Sequence, residues 1–519
     1  MKFRGIAIDS RKVKAGYLYV CIEGLQVDGH SFAAQAVENG AIALLCKKGR
    51  GGDMPDAEVL IIEAEDTRLE MAKICKQHYE DPSKDMKLIG ITGTNGKTST
   101  AGFVEQALVQ LGQPVGSIGT LGVRVNGEAL DMPFATSTTP DTVELYEILT
   151  EMKARGVAYV VMEVSSHALA LHKVAQLTFD VGVFTNLSQD HLDFHGTMEN
   201  YRLAKAGLFN LSRKGIINHD DDTLDFLLDY TKGKCDIATY GINGGDFKAS
   251  NHLLQKDGIS YIIEGQAVDS PPVIPNQVGD DEVEVEDDEG QADALACHCG
   301  LDRGSPTHAE QSPTNPITIN IPIAGKFTIY NSLATFATLA TLGFDKEAIA
   351  TTLANIKGIG GRIQSIPTGG KGFSVIVDYA HTPDGLENII SSCREFTEGR
   401  IITIFGCGGD RDPIKRPIMG EVAGRLSDYC IITSDNSRNE DPAAIIAQVE
   451  EGLAPTKCEY EMIIDRKEAI YKAIAIAKPD DCIIIAGKGH EDYQEFEKGR
   501  QINFDDKKIA EEALNQTQL

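Results

Sequence analysis

No apolar run in this chain approaches the ~20 residues that a membrane span requires. The longest, such as Cys482–Ala486, are strand-sized. The opening stretch MKFRGIAIDSRK lacks the apolar centre of a secretory signal, so a cytoplasmic protein without a membrane partner is expected. Basic residues are outnumbered: 49 Lys and Arg face 77 Asp and Glu, a formal charge of −28. Duplex nucleic acid would be repelled by such a surface, while a locally basic cleft still accepts small anions. Paired cysteines at framework spacing are missing too. The eleven present are dispersed, several in apolar runs (Cys75, Cys430, Cys482), which points to reduced core thiols.

What is present describes a globular α/β chain. With 519 residues there is room for about three domains. Residues 1–86 mix short strands (Tyr17–Ile22, Ala41–Leu45, Val59–Ile62) with a helix over Thr67–Tyr79. The polar stretch DPSKDM (81–86) closes this first unit. From Lys87 a rhythm of strand, glycine turn and helix begins. KLIGIT is a buried strand. Phe103, Val104, Ala107, Leu108 and Leu111 share one helical face, and Gly112 stops that helix. VAYVVMEV (157–164) and FDVGVFTN (179–186) continue the pattern, which predicts a parallel sheet with helices on both sides. Residues 87–357 form the expected central nucleotide-binding unit. A second α/β unit follows over 358–519, with strands at 373–380, 401–406, 429–435 and 482–487. Within the central unit, 266–316 breaks the rhythm. Its segment DDEVEVEDDE carries eight acids in ten positions and reads as a solvated insertion. The adjacent Cys297, His298 and Cys299 have no second cluster at zinc-site spacing, so no metal is assigned to them.

The stretch GTNGKT (Gly93, Thr94, Asn95, Gly96, Lys97, Thr98) follows a buried strand and opens a helix. Glycines let backbone N–H groups wrap phosphate oxygens, and the helix N-terminus favours negative charge. Lys97 suits the β and γ phosphates, and the Thr98 hydroxyl suits Mg²⁺. The usual G-x-x-x-x-G-K-[ST] spacing fails, because Ile91 stands where the first glycine belongs. The next strands end in Glu163 and in TNLSQDHLDFHG (185–196), which offers His191. Both are delivered to the same sheet edge as the loop, a constellation that suits a magnesium nucleotide. In the last unit four strands run into polar clusters: DYAHTPD (378–384), GCGGDRD (406–412), SDNSRNEDP (434–442) and GKGHEDYQ (487–494). A shared cleft explains four such ends better than chance glycine turns.

These motifs resemble the Mur ligases, ATP-dependent amide-forming enzymes of peptidoglycan assembly. The short GTNGKT loop is that family's own variant. The likeness extends to DSRKV, DGHSF, TTPD (138–141), EVSSHAL, DHLDFHG, YRLAKAGLF (201–209), YNSLA (330–334) and GGR (360–362). DNSR followed by NEDP resembles the signature of the branch that adds diaminopimelate to a UDP-muramoyl dipeptide. The resemblance implies three domains: a UDP-sugar-binding one, a central phosphate-loop ATPase with a parallel sheet, and a Rossmann-like one for the amino acid. It implies ATP and Mg²⁺ as cofactors and an acyl-phosphate route, which needs no protein nucleophile. Ser10, Thr138, Thr139, Ser165 and Lys173 would meet the UDP-sugar substrate. Lys97 and Thr98 would hold ATP phosphates, with Thr98, Glu163 and His191 around magnesium. Lys205 matches a lysine carried as a carbamate and would support a metal. Asn331 would approach adenine, Arg362 the terminal phosphates and Asp378 the ribose. Arg411, Asn436, Arg438, Gly487 and Glu491 would grip the diamino acid, a guanidinium suiting its distal carboxylate and Glu491 its distal ammonium. The chain departs from the family pattern at Ser437, Thr328, Gly360, Leu171 and Lys173. A monomer is expected. The alternatives are the same reaction with L-lysine, a folylpolyglutamate-synthase-like ligase, or a non-catalytic nucleotide-binding scaffold.

Overall fold

The structure, a computed structural model, describes residues 3–24, 27–55, 58–136, 138–255, 258–265 and 316–516. The acidic stretch, apart from residue 316, and Cys297, His298 and Cys299 lie outside the described residues.

Three main sheets succeed one another along the chain. The first has four parallel strands in chain order, Gly5–Ala7, Tyr17–Val20, Ala41–Lys47 and Leu60–Ala64. The second has eleven. At its centre Lys87–Thr92 lies between Tyr159–Glu163 and Phe179–Phe184, paired in parallel with both. The strand order therefore reverses at Lys87–Thr92, and its carboxyl end is where an α/β sheet opens a crevice. The third sheet runs Gln364–Ile366, Ser374–Asp378, Cys482–Ala486, Ile401–Phe405, Tyr429–Ile432, Glu459–Met462. All its pairings are parallel except the first.

The mixed α/β class with parallel sheets is as read from the sequence, with one difference. The large sheet is parallel only in its middle. At one end Val115–Gly119, Gly122–Val125 and Glu128–Leu130 pair antiparallel, and at the other end so do Phe247–Gln255, Gly258–Gly265 and Ile317–Ile321. The connections decide this. Three of these four antiparallel pairs are joined by two-residue links, which cannot make a parallel crossover. Asn126 (φ 51°) and Gly127 (φ 83°) both adopt the left-handed backbone that a tight hairpin demands.

The strand pleat sets the core. Ile89 and Ile91 face the helix Lys97–Gln110, packing with buried Phe103, Val104, Ala107 and Leu108 and with Ile329, Leu333 and Phe336 of the helix Lys326–Thr341. Leu88 faces the other way. It joins Tyr146, Leu149 and Met152 of the helix Thr142–Ala154, and Leu18, Val20 and Leu45 of the first sheet. One apolar layer thus fixes the first sheet against the second. Two helices that follow third-sheet strands, Pro383–Arg394 and Pro442–Leu453, start on side-chain caps followed by proline. Thr382 Oγ1 accepts from Gly385 N and Asp441 Oδ1 from Ala443 N, with Pro383 and Pro442 in the first turn.

Candidate active site

The loop after Lys87–Thr92 turns on two glycines that tolerate no side chain. A Cβ on Gly93 (φ 151°) would lie 1.8 Å from Thr185 Oγ1, and one on Gly96 (φ 82°) 2.7 Å from Asn331 Oδ1. Thr185 Oγ1 in turn donates to Asn95 O at 2.6 Å, and Thr94 N donates to Asn186 O at 2.9 Å, so the end of Phe179–Phe184 braces the loop. Gly96 caps the helix whose first residues are Lys97 and Thr98.

Thr98 and Glu163 meet at the mouth of this loop. Thr98 Oγ1 donates to Glu163 Oε2 at 2.8 Å. The carboxylate, 2% exposed, also accepts from Thr120 N at 2.8 Å and Thr120 Oγ1 at 3.1 Å. Thr139 Oγ1 donates to Glu163 O at 2.9 Å and accepts from Ser165 N at 3.0 Å, while Thr138 Oγ1 lies 3.5 Å from Thr120 Oγ1. Thr138, Thr139 and Ser165 therefore belong to one hydroxyl network with Glu163. Lys173 is buried and pairs with Asp141 Oδ1 at 2.8 Å, just beyond Thr139.

Two lysines converge from below. Lys97 Nζ donates to Gly93 O and Thr94 O, both at 2.8 Å, and Lys205 Nζ donates to Gly93 O at 2.7 Å. Lys205 is 1% exposed, and its ammonium lies 4.5 Å from the Tyr201 ring centroid. Burial first, then the charge of Lys97, drive the Lys205 pKa well below the usual lysine value, against the pull of Asp190. Burial and Arg362 lower Lys97 as well, with Glu163 and Asp190 opposing. His191 (φ 54°) pairs with Asp190 at 3.3 Å and packs edge-on to His167. It borders the lysines through Tyr201, whose hydroxyl lies 3.1 Å from Thr94 Oγ1. Burial lowers His191, and nearby His167 and the lysines add to this against the opposing Asp190 carboxylate.

A cleft of about 410 Å³ opens beside the loop. Its walls include Asn95, Gly96, Asn331, Arg362 and Asp378. Here the third sheet meets the second: Arg362 Nη2 lies 3.5 Å from Thr98 Oγ1, Asn95 Nδ2 donates to Asp384 Oδ2 at 2.5 Å, and Lys415 Nζ is 3.8 Å from Asp190 Oδ1. Asp378 accepts from Ile363 N at 2.8 Å, and burial raises its pKa against the opposing charge of Arg362. The Arg362 guanidinium stacks 4.6 Å from the Tyr379 ring centroid. Tyr379 OH donates to Glu491 Oε1 at 3.3 Å, which links this cleft to the last cluster.

In that cluster Asn436 Oδ1 accepts from Lys488 Nζ (3.1 Å) and Glu495 N (3.0 Å), so Asn436 Nδ2 donates to Glu491 Oε2 at 2.9 Å. Lys488 also donates to Glu491 Oε2 at 3.0 Å. Gly487 (φ 120°) cannot carry a Cβ, which would lie 2.7 Å from Asp435 Oδ2. Arg438 donates to Gly409 O at 2.8 Å and pairs with Glu495 at 3.2 Å.

Most of the residues picked from sequence thus fall into three linked clusters. Two stand apart. Ser10 Oγ donates to Gln35 Oε1 at 2.6 Å within the first unit, and Arg411 is exposed, its guanidinium on Asp410 O at 3.2 Å. Ser437, one of the departures from the family pattern, is 2% exposed, and its neighbour Arg438 is held by Arg438 N to Glu495 O at 3.1 Å. Sequence reading missed Thr120, Asp384, Tyr379, Lys415, Lys488 and Glu495. Tyr379, Asp384 and Lys488 sit inside the polar clusters at strand ends, and Glu495 directly follows one. Thr120 carries no signal.

Comparisons with known proteins agree along the chain. The Mur ligase middle domain matches residues 91–277, the glutamate ligase domain of Mur ligases 361–489, and the Mur ligase family catalytic domain 2–79. A UDP-N-acetylmuramoyl-L-alanyl-D-glutamate–2,6-diaminopimelate ligase of Syntrophomonas wolfei is 40% identical over 98% of this chain and 94% of its own. A solved structure of a ligase of that same name is 28% identical, with a TM-score of 0.63, over 100% of this chain and 96% of that one. MurF ligase from Thermotoga maritima in complex with ADP shares the fold at 16% identity, with a TM-score of 0.61 over 99% and 98% of the two chains.

Proposed function

The chain belongs to the Mur ligase family, and from that premise we propose the reaction, its cofactors and the role of each residue. It is an ATP-dependent acid–amino-acid ligase of peptidoglycan synthesis, joining meso-diaminopimelate to the D-glutamate γ-carboxylate of UDP-N-acetylmuramoyl-L-alanyl-D-glutamate. The observation that carries the reading is the meeting of Lys97, Thr98 and Glu163 with Arg362 of the third unit at one loop.

A γ-carboxylate oxygen attacks the γ-phosphorus of ATP, giving an acyl phosphate and ADP. The amine of the diamino acid then attacks the acyl carbon, the C–O bond to phosphate breaks, and the ammonium proton is lost. The protein's work is to align anions that repel one another. Loop N–H groups and Lys97 receive the phosphates. Arg362 lies over Thr98 and faces the terminal phosphate. Asn331 and Asp378, both lining the cleft, meet adenine and ribose. Thr138, Thr139, Ser165, Lys173 and, from the first unit, Ser10 hold the UDP-dipeptide. Asn436, Arg438, Gly487, Glu491 and Arg411 hold the diamino acid. The substrate sites would be shared among the units 1–86, 87–357 and 358–519: the UDP-dipeptide between the first and second, ATP between the second and third, and the diamino acid on the third.

Magnesium fits the donor set: the Thr98 hydroxyl and Glu163 carboxylate are hard oxygens 2.8 Å apart at the loop mouth. Bound there, it would screen the phosphate oxygens, with His191, beside Tyr201, proposed as a further member of its surroundings. Lys205 is buried, its amine driven towards neutrality, and pairs with no carboxylate among the described residues. A neutral amine that adds CO₂ and releases a proton becomes a carbamate anion, which would support the metal. The testing experiment is phosphate release measured with ATP, UDP-dipeptide and diaminopimelate, each omitted in turn. Release must require all three; release without the amino acid would refute the ligase reading.

A further inference from the structure

The diamino-acid end of the site contains a carboxylate that the reaction does not need. Glu495 lies in the short hairpin formed by Tyr493–Phe496 and Arg500–Asn503. Its carboxylate Oε2 sits 3.2 Å from Arg438 Nε, both side chains only part-exposed, at 25% and 19%. Arg438 Nη1 is engaged by Gly409 O at 2.8 Å.

A guanidinium grips a carboxylate with two parallel N–H groups, along either the Nε edge or the paired-Nη edge. In this chain the Glu495 carboxylate lies as an ion pair against Nε on one edge, and Gly409 O takes half of the other. Neither edge is left as a free fork. The residue assigned to the distal carboxylate of diaminopimelate is therefore already holding a carboxylate of its own chain.

We infer that Glu495 is a specificity-determining residue, competing with the distal carboxylate of the incoming diamino acid for Arg438. The inference rests on the diamino-acid reading above. Diaminopimelate must displace Glu495 towards solvent before it gains a two-pronged grip. Lysine, which lacks that carboxylate, leaves the Arg438–Glu495 pair intact and so leaves no cation unpartnered. Glu495 thus narrows the preference for diaminopimelate over lysine that Arg438 alone would impose.

The backbone of Glu495 plays a separate part, since its N–H donates to Asn436 Oδ1 and its carbonyl accepts from Arg438 N. Glu495→Gln keeps both bonds and the side-chain shape while removing the charge. Steady-state kinetics of wild type and E495Q with diaminopimelate and with lysine, at saturating ATP and UDP-dipeptide, test the proposal. The expected result is a KM for diaminopimelate lowered about two- to fivefold, the range for a part-exposed ion pair. The KM for lysine should be unchanged or higher, so that the diaminopimelate-to-lysine ratio of kcat/KM rises. Raised salt should shrink the wild-type handicap. A higher KM for diaminopimelate in E495Q would mean that Glu495 orients Arg438 for the substrate, and would overturn the inference. So would an unchanged ratio. Wild-type enzyme that releases no phosphate with either amino acid would overturn the proposed reaction itself, an outcome distinguishable because it appears before any variant is compared.

Discussion

Thr98 Oγ1 donates to Glu163 Oε2 across 2.8 Å, joining the first turn of the phosphate-loop helix to the end of the strand Tyr159–Glu163. Burial at 2% exposure and two further donors from Thr120 hold the carboxylate in one orientation. Glu163→Gln preserves shape but removes the anion. The expected loss in kcat is about 10²–10³-fold, the scale of removing one charge-stabilising group at a reacting centre. The magnesium concentration for half-maximal rate should rise as well. A Glu163→Gln enzyme with unaltered magnesium dependence would dissociate this pair from the metal.

Lys205 tests the carbamate. An ammonium at Lys205, beside Lys97, would add positive charge that neither Glu163 nor Asp190 directly neutralises. Enzyme stripped of CO₂ should lose activity and regain it on adding bicarbonate. With ¹³C-labelled bicarbonate a carbamate resonance should appear in wild type and vanish in Lys205→Ala, whose kcat should fall by about 10–100-fold, as for other supports of metal ligands. Activity indifferent to CO₂, with no labelled resonance, would remove this role.

Asn95 and Asp384 form the shortest polar link between the phosphate loop and the third unit, at 2.5 Å. Asp384 also accepts from Ser188 at 3.4 Å, and both Asn95 and Asp384 line the cleft. Asp384→Ala should raise the KM for ATP about tenfold, the worth of one hydrogen bond to a charged group. Asp384→Asn, which can still accept from Asn95, should raise it less. Equal effects from the two variants would argue that charge, and not the link, is what matters.

The elements that could be read from sequence share one physical property: their information is local. Buried runs such as Lys87–Thr92 and Cys482–Ala486 announce strands because both faces are covered, and Gly93 and Gly96 announce a loop because no other residue fits. Glu163 was legible because a charge at the end of a buried strand has few structural uses. Contacts between distant segments left no such trace. Asn95 meets Asp384 and Asp190 meets Lys415 only because two sheets share a gap, and no periodicity records that. The antiparallel ends of the large sheet were legible in principle, since Asn126-Gly127 is a hairpin signal. The strand–helix rhythm around it masked that signal. Arg438 reads from sequence as a free guanidinium, and the structure supplies the partner, Glu495, that changes its meaning.

Three imidazoles, His195, His381 and His490, are pushed down to about 4, each chiefly by burial. His195 is 7% exposed, its Nε2 2.9 Å from Ser166 Oγ. An imidazole in the unfolded chain takes up its proton near pH 6.5. Between about 6.5 and 4 the unfolded state therefore binds protons that the native state refuses, and stability falls as pH falls. Above that window the effect is absent, and below it both states are protonated and the loss is complete. Most carboxylates titrate below its upper half, so comparing urea midpoints at about pH 7 and pH 5 reads chiefly the histidines. The midpoint should be lower at the acid value. His195→Asn, which retains a partner for Ser166 without the ionisable ring, should shrink the difference. A His195→Asn protein with the same pH-dependent drop as wild type would show that His195 is protonated in the native state too, and that burial does not exclude its proton.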